Sequence, residues 1–180
     1  VTGVQTCALP ILLSLALVVV SLTLVIRAAE PADTPKVYVA PPALRALTWA
    51  VVGAAGLVVV LGVATTGSGP HSGDSDVLAR FPIDPRTISW LHADAVWLFL
   101  GLTLGLLVAP RLVAAPLRLK RRVLVVLGVS AIQASVGYSQ HFLGLPEALV
   151  TLHVLGAVAL WIAVWLLPSA LRTRGLTAAN

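Results

Sequence analysis

The sequence contains few charges, one cysteine and no methionine. Only 11% of its 180 residues are charged and 58% are hydrophobic, with a mean hydropathy of +0.98. Soluble domains carry roughly a quarter charged residues, and a chain of this length keeps a large surface that must be polar in water. The composition therefore excludes a water-soluble domain and predicts an integral membrane protein. The single cysteine, Cys7, excludes an intrachain disulfide and a CxxC site.

The first eleven residues, VTGVQTCALPI, match the translation of a common sequencing adapter at every codon. We interpret residues 1–11 as an artefact and leave them out of the fold prediction, as for an expression scar. Together with the lack of methionine, this interpretation leads us to expect a natural chain that is truncated upstream of Leu12. Cys7 would then not belong to the natural protein.

Long, mostly apolar stretches predict four complete transmembrane helices and part of a fifth. A membrane-spanning helix needs about 20 mostly apolar residues. The complete spans are predicted at 46–66, 85–108, 123–142 and 147–167, and residues 12–26 are the remnant of a preceding span. The small residues at 53–56 suit close helix packing, and Asp84 is the predicted cap of the helix that begins at Pro85. Residues 109–122 form a predicted basic loop, and residues 143–145 a tight turn. The fold class is therefore an all-α integral membrane protein: a four-helix transmembrane bundle over 46–167 plus one partial helix. Residues 27–45 form a cytoplasmic loop and residues 168–180 a cytoplasmic tail.

The basic residues are unevenly divided between the two predicted sides of the membrane. Ten of the twelve share one side: Arg27, Lys36, Arg45, Arg111, Arg118, Lys120, Arg121, Arg122, Arg172 and Arg174. Only Arg80 and Arg86 lie opposite. Because cytoplasmic loops are enriched in Lys and Arg, the side with ten is predicted to be cytoplasmic, including the C-terminus. The net charge of +5 is thus explained by topology, and no nucleic-acid partner is predicted.

Two patterns recur in the same order and indicate a duplicated helix pair. The string VVLGV occurs at 59–63 and again at 125–129. Each copy is followed by a loop and then by proline, five residues, leucine and histidine, ending at His92 and at His153. The duplication predicts a bundle with pseudo-twofold symmetry about the membrane normal.

His92 and His153 are the candidate cofactor ligands, because polar side chains within spans are costly and often functional. Each lies seven residues after a helix-opening proline, so both sit at equal depth, roughly 10 Å into neighbouring parallel helices. Two imidazoles at equal depth can serve as axial ligands of a haem iron. The competing interpretation is a pair of packing histidines bonded to nearby carbonyls. Two histidines also fall short of the four ligands of a structural zinc site.

Arg80 and Arg86 are candidate partners of haem propionates, since they are the two basic residues on the outer side and precede the helix of His92. They could equally be solvated loop arginines. Three further polar residues, His71, Asp94 and His141, receive no assigned role.

Several ordered motifs resemble those of haem A synthases, which are cytochrome-oxidase assembly enzymes of bacterial plasma membranes and mitochondria. The matching segments are TGSGPHSGD at 66–74, Arg80-Phe81-Pro82 leading to Leu91-His92-Ala93-Asp94, and Gly137-Tyr138 followed by Leu145-Pro146 and Leu152-His153. The resemblance covers almost everything from Leu12 onward. It implies an eight-helix duplicated fold, of which this chain is the C-terminal half.

The resemblance implies that His92 and His153 bind a haem b. The catalytic residues and the site for haem O, whose C8 methyl is oxidised to the formyl of haem A, belong to the other half. We therefore expect this chain alone to be inactive, although the whole enzyme is an oxidoreductase. The expected partners are the lipid bilayer, haem O, and haem O synthase or oxidase assembly proteins. The alternatives are a bis-histidine membrane cytochrome b that only transfers electrons, and a cofactor-free membrane assembly factor.

Overall fold

The computed structural model of the chain describes residues 2–31, 34–69 and 82–174. Its architecture is dominated by long helices. These are α1 (Thr2–Ala28), α2 (Pro42–Ser68), α3 (Pro85–Val108), α4 (Leu117–Phe142) and α5 (Glu147–Trp165). Two short strands, β1 (Lys36–Tyr38) and β2 (Arg172–Arg174), and 3₁₀ turns at Ala109–Arg111 and Pro168–Leu171 complete the described part.

Each of the five helices contains a stretch that is long and apolar enough to cross a membrane. Large apolar side chains point outward, as shown by Trp97 and Leu155, which are 65% and 62% exposed. Water would not tolerate such a surface over whole helices, whereas lipid would. The chain therefore has the features of an all-α, multi-pass membrane protein. The predicted count of four complete spans is not confirmed, because α1 is as long as the others and includes residues 2–11.

Helices α2 to α5 form a ring of four, with α1 on its outside. The closest pairs are the hairpins α2–α3 and α4–α5, and the ring is completed by contacts of α2 with α5 and of α3 with α4. Helix α1 packs against α2 and α5. Consequently, α3 and α5 lie diagonally opposite one another and are not the neighbouring helices that the sequence predicted.

The core is built around α2, which touches three other helices. Val51, Ala55 and Leu44 on this helix are almost fully buried. Small side chains allow the close approach, as the sequence predicted for residues 53–56. A Cβ added at Gly56 would lie 3.7 Å from the ring of Trp161 on α5, whereas Gly53 faces open space.

The helix boundaries agree with the prediction for α3 and differ elsewhere. Helix α2 begins at Pro42, since proline is well suited to a first helical turn. Helix α4 begins at Leu117 rather than 123, so residues 117–122 of the predicted basic loop, which include four of its five basic residues, are helical. Lys and Arg are good helix formers whose stems can extend along apolar surface, which explains a helix that continues through them.

A side-chain cap and a tight turn determine where the two histidine-bearing helices, α3 and α5, begin. Asp84 caps α3 by accepting hydrogen bonds from the Thr87 backbone amide and hydroxyl, both at 2.8 Å, as its sequence position predicted. These bonds lower the pKa of Asp84 below its ordinary value of 3.8. The turn between α4 and α5 has positive φ at Gly144 and Leu145, and the Leu145 amide donates to the Gln140 carbonyl at 2.7 Å.

The predicted loop before α2 and the tail after α5 are joined to each other. Strands β1 and β2 pair in antiparallel fashion, with Val37 opposite Thr173. Arg118 of α4 donates to the Ala170 carbonyl at 2.8 Å, and Arg122 donates to the Leu166 carbonyl. The basic end of the bundle is thus an ordered layer and not a set of separate loops.

Candidate functional site

His92 is held against α2 by one hydrogen bond and one close approach. Its Nδ1 lies 3.0 Å from the backbone carbonyl oxygen of Val58. Because a carbonyl can only accept, this bond requires the proton on Nδ1 and leaves Nε2 as the nitrogen with a free lone pair. A Cβ added at Gly62 would lie 3.2 Å from His92 Cε1. Glycine at 62 therefore leaves the space that the imidazole occupies.

His153 approaches a glycine of α4 as closely as His92 approaches a glycine of α2. A Cβ added at Gly137 would lie 3.2 Å from His153 Cε1 and 3.7 Å from Nδ1. The carbonyl of Gln133, four residues before Gly137, lies near this nitrogen but without the geometry of a full hydrogen bond. The buried Nδ1 thus has no hydrogen-bond partner among the described residues.

The two halves of the site correspond residue by residue. Val58 and Gly62 are four residues apart on α2, as are Gln133 and Gly137 on α4. This overturns the alignment implied by the repeated VVLGV string, which pairs Gly62 with Gly128. Gly128 faces open space, nine residues before the glycine that meets a histidine. Counting from the loop would have found the match, since Gly62 and Gly137 lie six and five residues before the ends of their helices.

His92 and His153 lie on helices α3 and α5, which are diagonally opposite in the ring. His92 is the eighth residue of α3 and His153 the seventh of α5, so their depths agree within one residue. Both residues are partly buried. Diagonal helices of a four-helix ring both face the bundle axis, which is where side chains on separate helices can share one ligand.

Gln133 has a second role in this region that the sequence did not reveal. A Cβ added at Gly156, three residues after His153, would lie only 1.4 Å from Gln133 Nε2. Gln133 is 8% exposed, and its amide oxygen has no hydrogen-bond partner among the described residues. The Gln133 side chain therefore fills the space that Gly156 leaves open. No spacing rule within one helix points to such a contact between helices.

Those of the other candidate residues that the structure describes are exposed. Arg80 and His71 lie outside the described residues. Arg86 is exposed on the first turn of α3, beside Asp84. Asp94 is also exposed, and the exposed His141 ring stands edge-on to Phe142 at 5.5 Å between centroids.

The donor set fits an axially ligated haem iron. Two neutral imidazoles are needed, and a ligating histidine normally donates its other N–H to a carbonyl or carboxylate, which fixes the ring. His92 meets this requirement through Val58, and the Gln133 carbonyl occupies the equivalent position beside His153. The surrounding helices are apolar, as such a cofactor prefers.

Comparison of the chain with protein families, with curated proteins and with solved structures gives no match.

Proposed function

We propose that His92 and His153 bind the iron of a haem b, within the C-terminal half of a haem A synthase. The observation that carries the first part is the paired geometry. Each histidine, near the start of its helix, lies against a glycine of the preceding helix and beside the carbonyl four residues earlier. A packing histidine needs a partner for its nitrogen, but it does not need the same arrangement twice.

The residues of this chain divide the binding task between them. The Val58 carbonyl fixes the His92 ring and its tautomer, so that Nε2 is presented for ligation. Gly62 and Gly137 let the rings lie close to the neighbouring helices. The apolar helices around them exclude water. When bound, the haem would supply one-electron transfer at this position.

The synthase assignment rests on the resemblance of the sequence motifs. In the intact enzyme, the other half would hold haem O and oxidise its methyl group, and this half would carry electrons away. The chain is thereby assigned to an oxidoreductase of haem A biosynthesis without containing its substrate site. Haem O synthase and oxidase assembly proteins are the partners that this role implies.

The orientation follows from the basic end of the bundle. Arg118, Arg122, Arg172 and Arg174 are brought together there by hydrogen bonds and ion pairs. Since basic residues are retained on the cytoplasmic side, we assign this end and the C-terminus to the cytoplasm, and the protein to a bacterial plasma membrane. The histidines then lie toward the outer face.

The test of haem binding is the absorption spectrum of the purified chain and of His92→Ala and His153→Ala. We expect b-type bands on reduction in the parent chain and loss of most haem from either variant, because two axial ligands are required. His141→Ala is the matched control, since His141 is exposed on the described surface, and it should retain haem. A parent chain without b-type bands, or equal haem content in all variants, would contradict the proposal.

Arg86→Gln tests the propionate partner. Arg86 lies six residues before His92, roughly 9 Å along the helix axis. We expect weaker haem retention while the reduced band positions stay unchanged, since the axial ligands remain. Unchanged retention would leave Arg86 as a solvated residue.

A further inference from the structure

The basic end of the bundle contains a cavity of about 230 Å³. It lies between α1, the start of α2, the end of α5 and the β1–β2 ribbon, and neither His92 nor His153 lines it. Five cationic side chains line it: Arg27, Lys36, Arg45, Arg172 and Arg174. Topology explains why basic residues are on this side, but it does not explain why five of them border one cavity.

These cations are only partly neutralised by protein groups. Glu30 is the one carboxylate that forms ion pairs with them in the described part of the chain. Its oxygens lie 2.9 Å from Arg172, 3.0 Å from Arg174 and 3.6 Å from Arg27. Lys36 and Arg45 have no ion pair among the described residues. Among the described residues, one carboxylate therefore faces five cations, and this part of the cavity lining carries an excess of positive charge.

Arg45 carries a donor that lacks an acceptor. Its Nε is buried and has no hydrogen-bond partner among the described residues. The guanidinium stacks on the Tyr38 ring at 4.2 Å from the centroid, and the Lys36 ammonium lies 4.6 Å from the same centroid. Buried donors normally have partners. The contacts with the Tyr38 ring hold both cations beside the cavity and leave the Arg45 Nε–H without an acceptor among the described residues.

The walls place the cavity at the level of lipid headgroups. Trp49 and Trp165 line it, with centroids 6.0 Å apart, and aromatic residues of this kind are enriched at the membrane interface. The Trp165 indole donates to the Thr23 hydroxyl of α1 at 3.0 Å, which joins the outer helix to the wall. Basic pockets between helices on the cytoplasmic side are typical sites for anionic headgroups.

We propose that this cavity binds one phosphate group, supplied either by an anionic phospholipid or by a free phosphate ion. Arginine forks and a lysine ammonium match phosphate oxygens, and such charge-assisted bonds are stronger than neutral ones. The volume admits one headgroup phosphate and not a whole lipid, so acyl chains would lie outside, along α1.

The test measures binding to the detergent-solubilised full chain by native mass spectrometry. Short-chain phosphatidylglycerol, short-chain phosphatidylcholine and inorganic phosphate are titrated separately. We expect a one-to-one complex with phosphatidylglycerol that is at least tenfold tighter than with phosphatidylcholine if lipid is the source. Saturation by inorganic phosphate without preference for phosphatidylglycerol assigns the site to the free ion. Equal, weak binding of all three overturns the proposal.

Two matched variants separate the cavity from general surface charge. Lys36→Gln with Arg45→Gln removes two cations that have no described ion pair. Lys120→Gln with Arg121→Gln removes two exposed cations of the same side that do not line the cavity. The first variant should weaken binding at least tenfold and the second less than twofold. Equal weakening by the two variants would contradict the proposal.

The titration of Tyr38 tests phosphate binding without any substitution in the cavity, and it can be used if the Lys36→Gln/Arg45→Gln variant folds poorly. The Lys36 ammonium beside its hydroxyl, with the charges of Arg45 and Arg172, lowers the pKa of Tyr38 below its ordinary value of 10.0. A bound phosphate would oppose these charges and raise the pKa of Tyr38 again. Absorbance at 295 nm in a Tyr138→Phe background reports this titration, and no shift on ligand addition would count against phosphate binding.

Discussion

The hairpins α2–α3 and α4–α5 each hold one histidine against the preceding helix, but they do so through different contacts. In both, a histidine near the start of the second helix lies over a glycine near the end of the first. In α2–α3 the ring is fixed by a 3.0 Å hydrogen bond to Val58. In α4–α5 the equivalent bond is not fully formed, and the Gln133 side chain packs into the space above Gly156 instead.

This difference indicates that the His92 imidazole is held by a directional bond, whereas the His153 imidazole is held by its close approach to Gly137. A hydrogen bond resists rotation of the ring, whereas packing resists only its displacement. Under the proposed function, His92 would act as the rigid ligand and His153 as the one that adapts. The predictions below alter one hairpin at a time.

The largest effect is expected from Gly156→Ala. The added Cβ would overlap Gln133 Nε2 at 1.4 Å and lie 2.7 Å from its Cδ, so a buried side chain must move. Overpacking of this kind costs about 1–3 kcal/mol. The measurement is reversible unfolding in mixed detergent, followed by circular dichroism.

Gly128→Ala on α4 is the matched control, because a Cβ there meets nothing within 4 Å. It should leave stability unchanged or raise it, since alanine favours a helix over glycine by roughly 1 kcal/mol. Adding Gln133→Ala to Gly156→Ala should recover much of the loss. Failure of this rescue would refute the contact between Gln133 and Gly156.

The next effect in size is the difference in haem retention between Gly62→Ala and Gly137→Ala. Both substitutions bring a Cβ to 3.2 Å from a histidine Cε1, so either ring must shift by a few tenths of an ångström. The His92 ring must strain its bond to Val58 to do so, and a typical hydrogen bond is worth about 0.5–1.5 kcal/mol. Haem retention should therefore fall more in Gly62→Ala, by about twofold to tenfold. Equal losses would show that the two rings are equally free.

The smallest effect concerns the start of α3, which has a side-chain cap that α5 lacks. Because the pKa of Asp84 is lowered in the folded chain, its stabilisation is present above the unfolded value of 3.8 and is lost as the pH falls through the folded value. Amide protection factors near Thr87 should begin to drop as the pH falls below 3.8 and should continue to drop through the lower pKa of the folded chain. Asp84→Asn keeps a capping side chain without a titratable group, so its protection should not change with pH. A similar pH response in both proteins would rule out the cap as the cause.

The sequence predicted those features that depend on neighbouring residues. The bounds of α3, the cap at Asp84, the turn before Pro146 and the similar depths of His92 and His153 all follow from local spacing and hydropathy. Features that depend on how helices meet were missed. The repeated string VVLGV aligned Gly128 with Gly62, whereas the structure makes Gly137 the equivalent of Gly62. A short identical string in an apolar helix does not specify which face of the helix is turned inward.

The contact of Gln133 with Gly156 and the pairing of β1 with β2 were missed for the same reason. Both join segments that are far apart in sequence, and neither carries a local pattern. The diagonal placement of α3 and α5 likewise depends on the order of helices around the ring, which hydropathy does not encode. The role of the histidine pair as haem ligands stays a prediction.

The β1–β2 ribbon makes the path of the chain through the bundle nearly circular. Lys36 pairs with Arg174, so the segment that leads into α2 lies beside the segment that leaves α5. The connection between the two hairpins contains Leu112, which is 83% exposed. A permuted chain that begins at 112, joins 174 to 36 through an added turn of at least two residues and ends at 111 is expected to keep the helix contacts of the ring. In such a chain α4–α5 would precede α2–α3, so we expect that the site does not depend on which hairpin is synthesised first.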